Sequence, residues 1–326
     1  MKPYAALNPE VILDAIESCS GLRCDGRLQG LNSYENRVYQ IWLEDGASVV
    51  AKFYRPQRWS SAAIQEEHDF AAELVARELP VVAPLVFNGR TLHEHGGFQF
   101  ALTPRRGGRT PELEDPDTLQ WMGRFIARIH AVGQTRPFEH RPMLDIESFA
   151  CEPVQFVLDS EFVPDDLYDT YASVAEDVVE RVERRWAAAG AVRNIRLHGD
   201  CHAGNVLWTD EGPHFVDLDD ARMGPAVQDL WMCLSGDRKS QQAQLLHLLE
   251  GYCEFREFDT TELMLVEALR TLRIVHYAGW LARRWDDPAF PASFPFFNTQ
   301  RYWQDHILAL REQAAALDEP PLQWRR

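Results

Sequence analysis

Apolar positions along this chain change their spacing near residue 104, from the two-residue alternation of strands to the three- and four-residue spacing of helices. Before that point a short amphipathic helix is predicted at about residues 9 to 19. The stretches "LNSYENRVYQIWL" and "ASVVAKFYR" then read as two strands joined at the turn signal "EDGA", a β-hairpin. "SSAAIQEEHDFAAELVARELP" has a serine start, helical spacing of Ile64, Phe70, Leu74 and Val75, and a proline stop, so it reads as a helix. "VVAPLVFNGRTLHEHGGFQFALTP" supplies three short strands broken at "NGR" and "HGG". The sum is a mainly antiparallel sheet of about five strands carrying one main helix.

Residues 104 to 116, "PRRGGRTPELEDP", are rich in Pro, Gly and Arg and read as a hinge or linker. Past them Leu119, Met122, Phe125, Ile126 and Ile129 share one helical face, and Leu167, Tyr171, Val174, Val178, Val182 and Trp186 repeat the pattern over residues 166 to 188. Further helices are expected at about 227 to 235, 239 to 256, 261 to 285 and 301 to 316. Between them "NIRL", "NVLW" and "HFVDL" are short apolar runs, the last two separated by the turn "TDEGP", which reads as a loop followed by a small β-hairpin. The expected architecture is α+β in two lobes: residues 1–103 with sheet and helix, and residues 104–326, rich in helix. The chain shows no internal repeat and no low-complexity tract.

Composition narrows the function classes. With 326 residues, 45% of them hydrophobic, the chain can bury one large core or two smaller ones. A formal charge of −17 disfavours an electrostatic grip on nucleic acid or anionic membrane, both of which attract basic surfaces. Six scattered cysteines without a CxxC pair suggest reduced thiols in a cytoplasmic setting, not a zinc knuckle or a disulfide framework. No apolar run is long enough for a signal sequence or a membrane span.

The chemistry concentrates in "LHGDCHAGNVLW" and "HFVDLDDAR", residues 197–208 and 214–222. Asp200 and Asn205 are five apart, and Asp217 ends an apolar strand twelve residues beyond Asn205. Phosphoryl transfer accounts for that spacing: one Asp orients an acceptor hydroxyl and receives its proton, while an Asn and a second Asp hold the Mg²⁺ that bridges the phosphates of ATP. His198-Gly199-Asp200, four residues, Asn205 and then Asp217 parallel the H-R-D-x₄-N and D-F-G signatures of protein kinases. Such a site needs a lysine for the α and β phosphates and a helix carboxylate to hold it. Lys52 in "VVAKFY" is the lysine, on the strand face shared with Val50 and Tyr54; Glu67 is the favoured partner and adjacent Glu66 the fallback. No G-x-G-x-x-G or Walker loop occurs. The turn through Asn32, Ser33, Tyr34, Glu35 and Asn36 either presents backbone N–H groups and the Ser33 hydroxyl to phosphate oxygens or is an ordinary hairpin turn.

Other readings compete for the same residues. His198, His202 and Asp219 have the types of a zinc site, but Gly199 and Gly204 argue against the helix such spacing needs. His198 is better read as bonding loop backbone. Cys201 beside His202 suggests a thiol nucleophile, yet the surrounding acids would raise its pKa. Asp219 and Asp220 either support the metal site or cap the next turn, and Asp229 either complements a helix dipole or braces the loop. The aromatic stretch at 273–298 reads as core, with Arg283, Arg284 and Trp285 as candidates to border an acceptor site.

Taken together, "LNSYENRVYQ", "VAKFYRP", "EEH", "LHGDCHAGN", "FVDLDDAR" with "GPAVQDLWM", and "RRWDDPAFP" resemble the stress-response serine/threonine protein kinases of bacteria, within the aminoglycoside and choline phosphotransferase-like superfamily. The resemblance covers almost the whole chain, and HGDxxxxN with a following Asp is specific to the superfamily. It implies a two-lobed protein-kinase-like fold, ATP and Mg²⁺ as cofactors, Asp200 as proton acceptor, Asn205 and Asp217 as metal ligands, and Ser33 at the ATP phosphates. It also implies a cytoplasmic monomer that phosphorylates proteins and protects against oxidative and envelope stress and cell death. The residues alone point to a smaller acceptor: eleven residues separate Asp217 from Asp229 and no A-P-E follows, so there is no long segment to cradle a peptide. That brevity suits a kinase for choline, homoserine or an aminoglycoside, with an acidic acceptor pocket favouring cations. A pseudokinase scaffold is disfavoured by the presence of Lys52, Asp200, Asn205 and Asp217 together.

Overall fold

The computed structural model describes residues 3–324. Helix α1 (Pro9–Ser20) starts where the Asn8 side chain accepts a hydrogen bond from the Val11 N–H and Pro9 pre-sets the backbone. Strands β1 (Cys24–Gly30), β2 (Arg37–Leu43) and β3 (Ser48–Phe53) lead to helix α2 (Ser61–Ala76), capped by Ser60, and then to β4 (His93–His95) and β5 (Phe98–Pro104). The five strands form one antiparallel sheet in the order β1-β2-β3-β5-β4.

Alternation along β3 sorts its side chains as the sequence pattern requires. Val49, Ala51 and Phe53 are buried with Ile12, Ala15 and Ile16 of α1, while Val50, Lys52 and the following Tyr54 line a cleft on the other face. The number of strands matches expectation, but two of them differ in place. Residues 31–36 are a turn, not the start of β2, and β1 lies in "CDGRLQG", whose mostly exposed side chains on a sheet edge need no apolar alternation. Residues 81–91 make only isolated bridges, Val81 with Phe215 and Phe87 with Arg90, because Pro80 and Pro84 lack the N–H groups a ladder needs.

The second lobe comprises α3 (Pro116–Gly133), α4 (Glu152–Leu158), α5 (Asp165–Ala189), β6 (Asn194–Leu197), β7 (Val206–Thr209), β8 (Gly212–Phe215), β9 (Arg222–Pro225), α6 (Val227–Trp231), α7 (Arg238–Tyr252), α8 (Val266–Arg283), α9 (Ala289–Ser293) and α10 (Gln300–Asp318). β7 pairs with β8 as the expected hairpin, and β6 with β9. The short helices α4 and α9 carry too few turns to announce a period in the sequence. The linker is mostly exposed, yet Arg109 exchanges two backbone hydrogen bonds with Trp208, at 2.9 and 2.7 Å, and so is fastened to β7.

Helix α2 joins the lobes. Its Phe70, Ala71 and Leu74 belong to the same buried cluster as Met122, Ile126 and Ile129 of α3 and Phe215 of β8. That cluster is the main core, and the sheet reaches it through α2. No helix among the described residues is long and apolar enough to cross a membrane.

Helices α3 and α7 touch backbone to backbone. A β-carbon added at Gly123 would lie 2.0 Å from the Leu248 carbonyl oxygen, and one at Gly251 would lie 2.0 Å from that of Gln120. Gly123→Ala should therefore force the helices apart at a cost of about 1–3 kcal/mol. Thermal denaturation followed by circular dichroism should show a Tm several degrees lower; an unchanged Tm would contradict this contact.

Candidate active site

The loop between β6 and β7 is shaped by a buried carboxylate. Asp229 of α6 accepts the backbone N–H groups of His198 and Gly199, both at 2.9 Å, and bonds to His130 Nε2 at 3.0 Å. Gln228 donates to the Gly199 carbonyl at 3.0 Å. Gly199 has a φ of 85°, and a β-carbon there would meet the Asp220 carbonyl oxygen at 2.2 Å, so this bend admits glycine alone. His198 Nε2 donates to the Val216 carbonyl at 2.9 Å, tying this loop to the one after β8. That is the backbone role expected of His198, and with Nδ1 accepting from the Asp200 N–H at 3.4 Å both ring nitrogens are engaged within the loops.

The bend delivers Asp200 and Asn205 to the cleft. Asn205 Nδ2 donates to the Asp200 carbonyl oxygen at 2.9 Å and to Asp200 Oδ2 at 3.3 Å. Asp200 Oδ1 accepts from Arg273 of α8 at 2.5 Å, and His202 Nε2 stands 3.4 Å from Oδ2. Burial alone would raise the Asp200 pKa, but the hydrogen bond from His202 and the Arg273 charge hold it well below the usual carboxylate range. Cys201 is fully buried, and burial with nearby acids pushes its thiol far up, which makes it a poor nucleophile.

Lys52 stands at the meeting of both lobes. Its Nζ donates to Asp217 Oδ1 at 3.0 Å and lies 3.2 Å from Asp219 Oδ1 and 3.5 Å from Glu67 Oε1. Burial disfavours the ammonium, but the three carboxylates outweigh it and the pKa lies well above the ordinary lysine value. Glu66 points elsewhere: it accepts the backbone N–H groups of Glu139, His140 and Arg141 at 2.6, 2.8 and 3.0 Å. It is an anchor for the segment after α3, so the structure separates two adjacent glutamates that the sequence leaves as alternatives.

The three aspartates after β8 divide. Asp219 is held by Arg58 and Lys52, and Asp220 by Arg58 and Arg222, each at 2.8 Å. The Asp217 side chain is 52% exposed, against 4% for Asp219, and its φ of 59° turns it toward the cleft. Asn205 uses Nδ2 on Asp200, which leaves its oxygen as the end available to a cation. One amide oxygen and one partly exposed carboxylate make a hard-oxygen donor pair that suits Mg²⁺, which keeps several waters of its own. Among the described residues no group of three His, Cys, Asp or Glu side chains is arranged to hold a metal by itself.

Two cavities meet at these loops. One, of about 460 Å³ between the lobes, is lined by Ser33, Lys52, Asn205 and Asp217 among others. The other, of about 660 Å³, is lined by Asp200, Arg273, His276, Tyr277, Trp280 and Tyr302 among others. The turn at 31–36 roofs the junction, with Ser33 on the first cavity and Tyr34 and Glu35 on the second. Ser33 Oγ donates to the Asn36 carbonyl at 3.2 Å. Glu35 is held by Trp280 Nε1 and Arg284 Nε, each at 2.6 Å, and Tyr34 packs on Phe294. Of the three residues expected to border an acceptor, none lines the second cavity. Arg284 reaches it through Glu35, Arg283 pairs with Glu152, and Trp285 packs on Phe162 and Phe297.

Sequence reasoning missed Arg58, Arg141 and Arg273. Arg141 is almost fully buried and donates to the Ala63, Asp219 and Ala221 carbonyls, fastening α2 to the aspartate loop. The one signal for these arginines was a surplus of nearby carboxylates, which in a buried site must be matched by cations.

The chain is similar to known proteins over nearly its whole length. The phosphotransferase enzyme family matches residues 27–266. Over 320 residues the chain is 48% identical to stress response kinase A of Escherichia coli, covering 98% of this chain and 96% of that one. It is equally 48% identical, over 98% of this chain and 96% of the relative, to the serine/threonine protein kinase RdoA of Salmonella typhimurium. Among solved structures, amicoumacin kinase in complex with AMP-PNP, Ca²⁺ and Ami superposes with a TM-score of 0.74 at 17% identity, covering 96% of this chain and 94% of that one. Spectinomycin phosphotransferase with ADP and spectinomycin follows at 0.71 and 14%, covering 95% and 98%.

The brace on the loop can be tested apart from any substrate. Asp229→Asn replaces one acceptor oxygen with a donor, so one of the three groups it satisfies loses its partner, at about 1–3 kcal/mol. A lower Tm and faster hydrogen exchange at the His198 and Gly199 amides are expected; wild-type exchange at both would refute the brace.

Proposed function

The chain belongs to the phosphotransferase enzyme family, and from that premise we propose that it is a Mg²⁺-dependent serine/threonine protein kinase of the stress response, transferring the γ-phosphoryl group of ATP to a protein hydroxyl as a cytoplasmic monomer. The observation that carries this reading is the convergence of Lys52, Asn205, Asp217 and Asp200 where the two cavities meet. The names of relatives at 48% identity support the protein acceptor and the stress role.

In this reading ATP occupies the cavity between the lobes. Lys52 exchanges part of its contact with Asp217 and Asp219 for α- and β-phosphate oxygens, while Glu67 keeps it from swinging away. The 31–36 turn covers the phosphates with the Ser33 hydroxyl and backbone N–H groups. Mg²⁺ bound through Asn205 and Asp217 would neutralise phosphate charge as it shifts in transfer. Asp200, ionised throughout the neutral range, accepts a hydrogen bond from the acceptor hydroxyl and then its proton.

A small-molecule acceptor is the second reading. The acceptor cavity of about 660 Å³ falls within the size range of small-molecule sites, and the aminoalcohol and antibiotic kinases of similar fold take such acceptors. Choline, homoserine or an aminoglycoside would be an acceptor of that kind.

Asp217→Ala should abolish Mg²⁺-dependent ATP turnover. Asp200→Ala should slow transfer by about 10²–10⁴-fold while leaving nucleotide affinity largely intact. Ser33→Ala should raise the KM for ATP or lower the rate. Steady-state kinetics and nucleotide titration check all three, and full activity of either aspartate variant would overturn the assignment. Incubation with γ-labelled ATP, a generic protein acceptor and a panel of small alcohols separates the two readings: label in protein alone supports the first, label in the alcohols alone the second.

A further inference from the structure

The acceptor cavity is less acidic than the net charge of −17 suggests, because its wall carboxylates are already matched. Glu35 is held by Arg284 at 2.6 Å and Arg55 at 3.5 Å. Asp220 sits between Arg58 and Arg222, and Asp200 faces Arg273. The remaining acid, Asp305, is largely exposed and pairs with Arg301. A cationic acceptor therefore finds no free acid in the depth of this cavity.

The arginines of the wall are unequal. Arg58 and Arg222 are buried against their partners, with side chains 14% and 10% exposed, whereas Arg273 is 48% exposed and pairs with Asp200 alone among the described carboxylates. That pair occupies Asp200 Oδ1, while Oδ2 is shared by Asn205 and His202. An acceptor hydroxyl approaching Oδ1 competes with the guanidinium for that oxygen. A displaced arginine in a partly desolvated cavity needs another anion.

The same cavity holds polar atoms without a partner. Tyr302 Oη and His306 Nε2 are buried and have no hydrogen-bond partner among the described residues, and both residues line the space that Arg273 lines. His306 is 7% exposed, and burial pushes its pKa down to about 4, so it stays neutral and presents a hydrogen-bonding wall without charge. The Tyr302 hydroxyl is a donor suited to an anion.

Resting on the kinase reading above, we propose that the acceptor is a hydroxyl compound bearing a carboxylate or phosphate close to the reacting hydroxyl, and that Arg273 leaves Asp200 to bind that anion. Arg273 is thus a specificity-determining residue that guards the base until an acceptor of the right charge arrives. Cationic aminoalcohols and aminoglycosides are rejected because they free the arginine and give it nothing to bind. The chemistry is the same whether the anion lies on an acidic peptide or on a free hydroxy acid.

The test uses the full chain with Mg²⁺ and γ-labelled ATP and two acceptor pairs. One pair is a serine peptide flanked by Asp and Glu and its counterpart flanked by Lys and Arg; the other is glycerate and choline. Wild type should favour the anionic member of at least one pair by about ten-fold or more in kcat/KM, and which pair responds identifies the source of the anion. Arg273→Gln should abolish that preference and Arg273→Glu should reverse it, each without loss of nucleotide binding. Equal or greater use of the cationic members, a preference that survives in Arg273→Gln, or no transfer to any acceptor while nucleotide is bound would overturn the proposal. Binding of a fluorescent ATP analogue with Mg²⁺ is read in parallel. Its absence in the wild type defeats the kinase reading itself, whereas binding and transfer without a charge preference defeat only this inference.

Discussion

Everything in the cleft depends on one buried cation. Lys52 comes from the sheet, Glu67 from α2, and Asp217 and Asp219 from the loop after β8, so their meeting requires both lobes to be in place. Lys52, Glu67 and Asp219 would not be tolerable alone in that position, since an unpaired buried charge costs several kcal/mol, whereas Asp217 is half exposed. Arg58 and Arg141 extend the same logic: the first neutralises Asp219 and Asp220, the second stands near Glu67 and bonds the Asp219 carbonyl. Replacing such a network with apolar residues is often neutral for stability, so the fold alone does not require it. On the proposed function the network serves the phosphates of ATP, with a lysine held ionised and a partly exposed carboxylate beside it.

Helix α2 makes that meeting possible. It is usual to think of such a helix as part of the sheet lobe, but here its apolar face is packed in the main core with α3 and β8. Glu66 and Glu67, next to each other on this helix, do separate work. Glu66 receives three backbone N–H groups from the segment after α3, which fixes the helix to the second lobe, and Glu67 turns inward to Lys52. A helix so anchored cannot rotate without breaking both, and the carboxylate that restrains Lys52 is thereby referenced to the aspartate loop.

Much of this was readable in the residues. The alternation of "SVVAKFY" put Val50, Lys52 and Tyr54 on one face, Gly199 and Gly204 argued against a helix around them, and the spacing of Asp200, Asn205 and Asp217 pointed to a phosphotransferase, because each of these is a local property of a strand or loop. What could not be read depends on partners distant in sequence. β1 was missed because an exposed edge strand need not alternate, and the stretch at 81–91 was taken for strand because its prolines act only when a ladder is attempted. The choice of Glu67 over Glu66 rests on backbone groups more than seventy residues away. The pairing of the acceptor cavity's acids was hidden for the same reason: net charge counts residues, whereas the field in a cavity is set by which arginines reach it, and Arg58, Arg222, Arg273 and Arg284 come from three separate segments, the last two from α8 and its C-cap.

The turn at 31–36 draws the two cavities into one device. Ser33 lines the cavity between the lobes, and two residues on, Glu35 is locked to Trp280 and Arg284 at the second cavity, with Tyr34 packed against Phe294 between them. Asn36 anchors the end of the turn by accepting the Arg55 N–H at 3.0 Å, and Arg37 and Arg55 both reach Asp287 beyond α8. A segment this short and this heavily held cannot adjust to phosphates on one side without moving Tyr34 and Glu35 on the other. On the proposed function, a ligand that shifts the turn from one cavity would alter binding at the other, and by linkage the effect would be the same in both directions. On the proposed function, the roof over the nucleotide would take its final shape only with an acceptor beneath it, which would disfavour transfer to water.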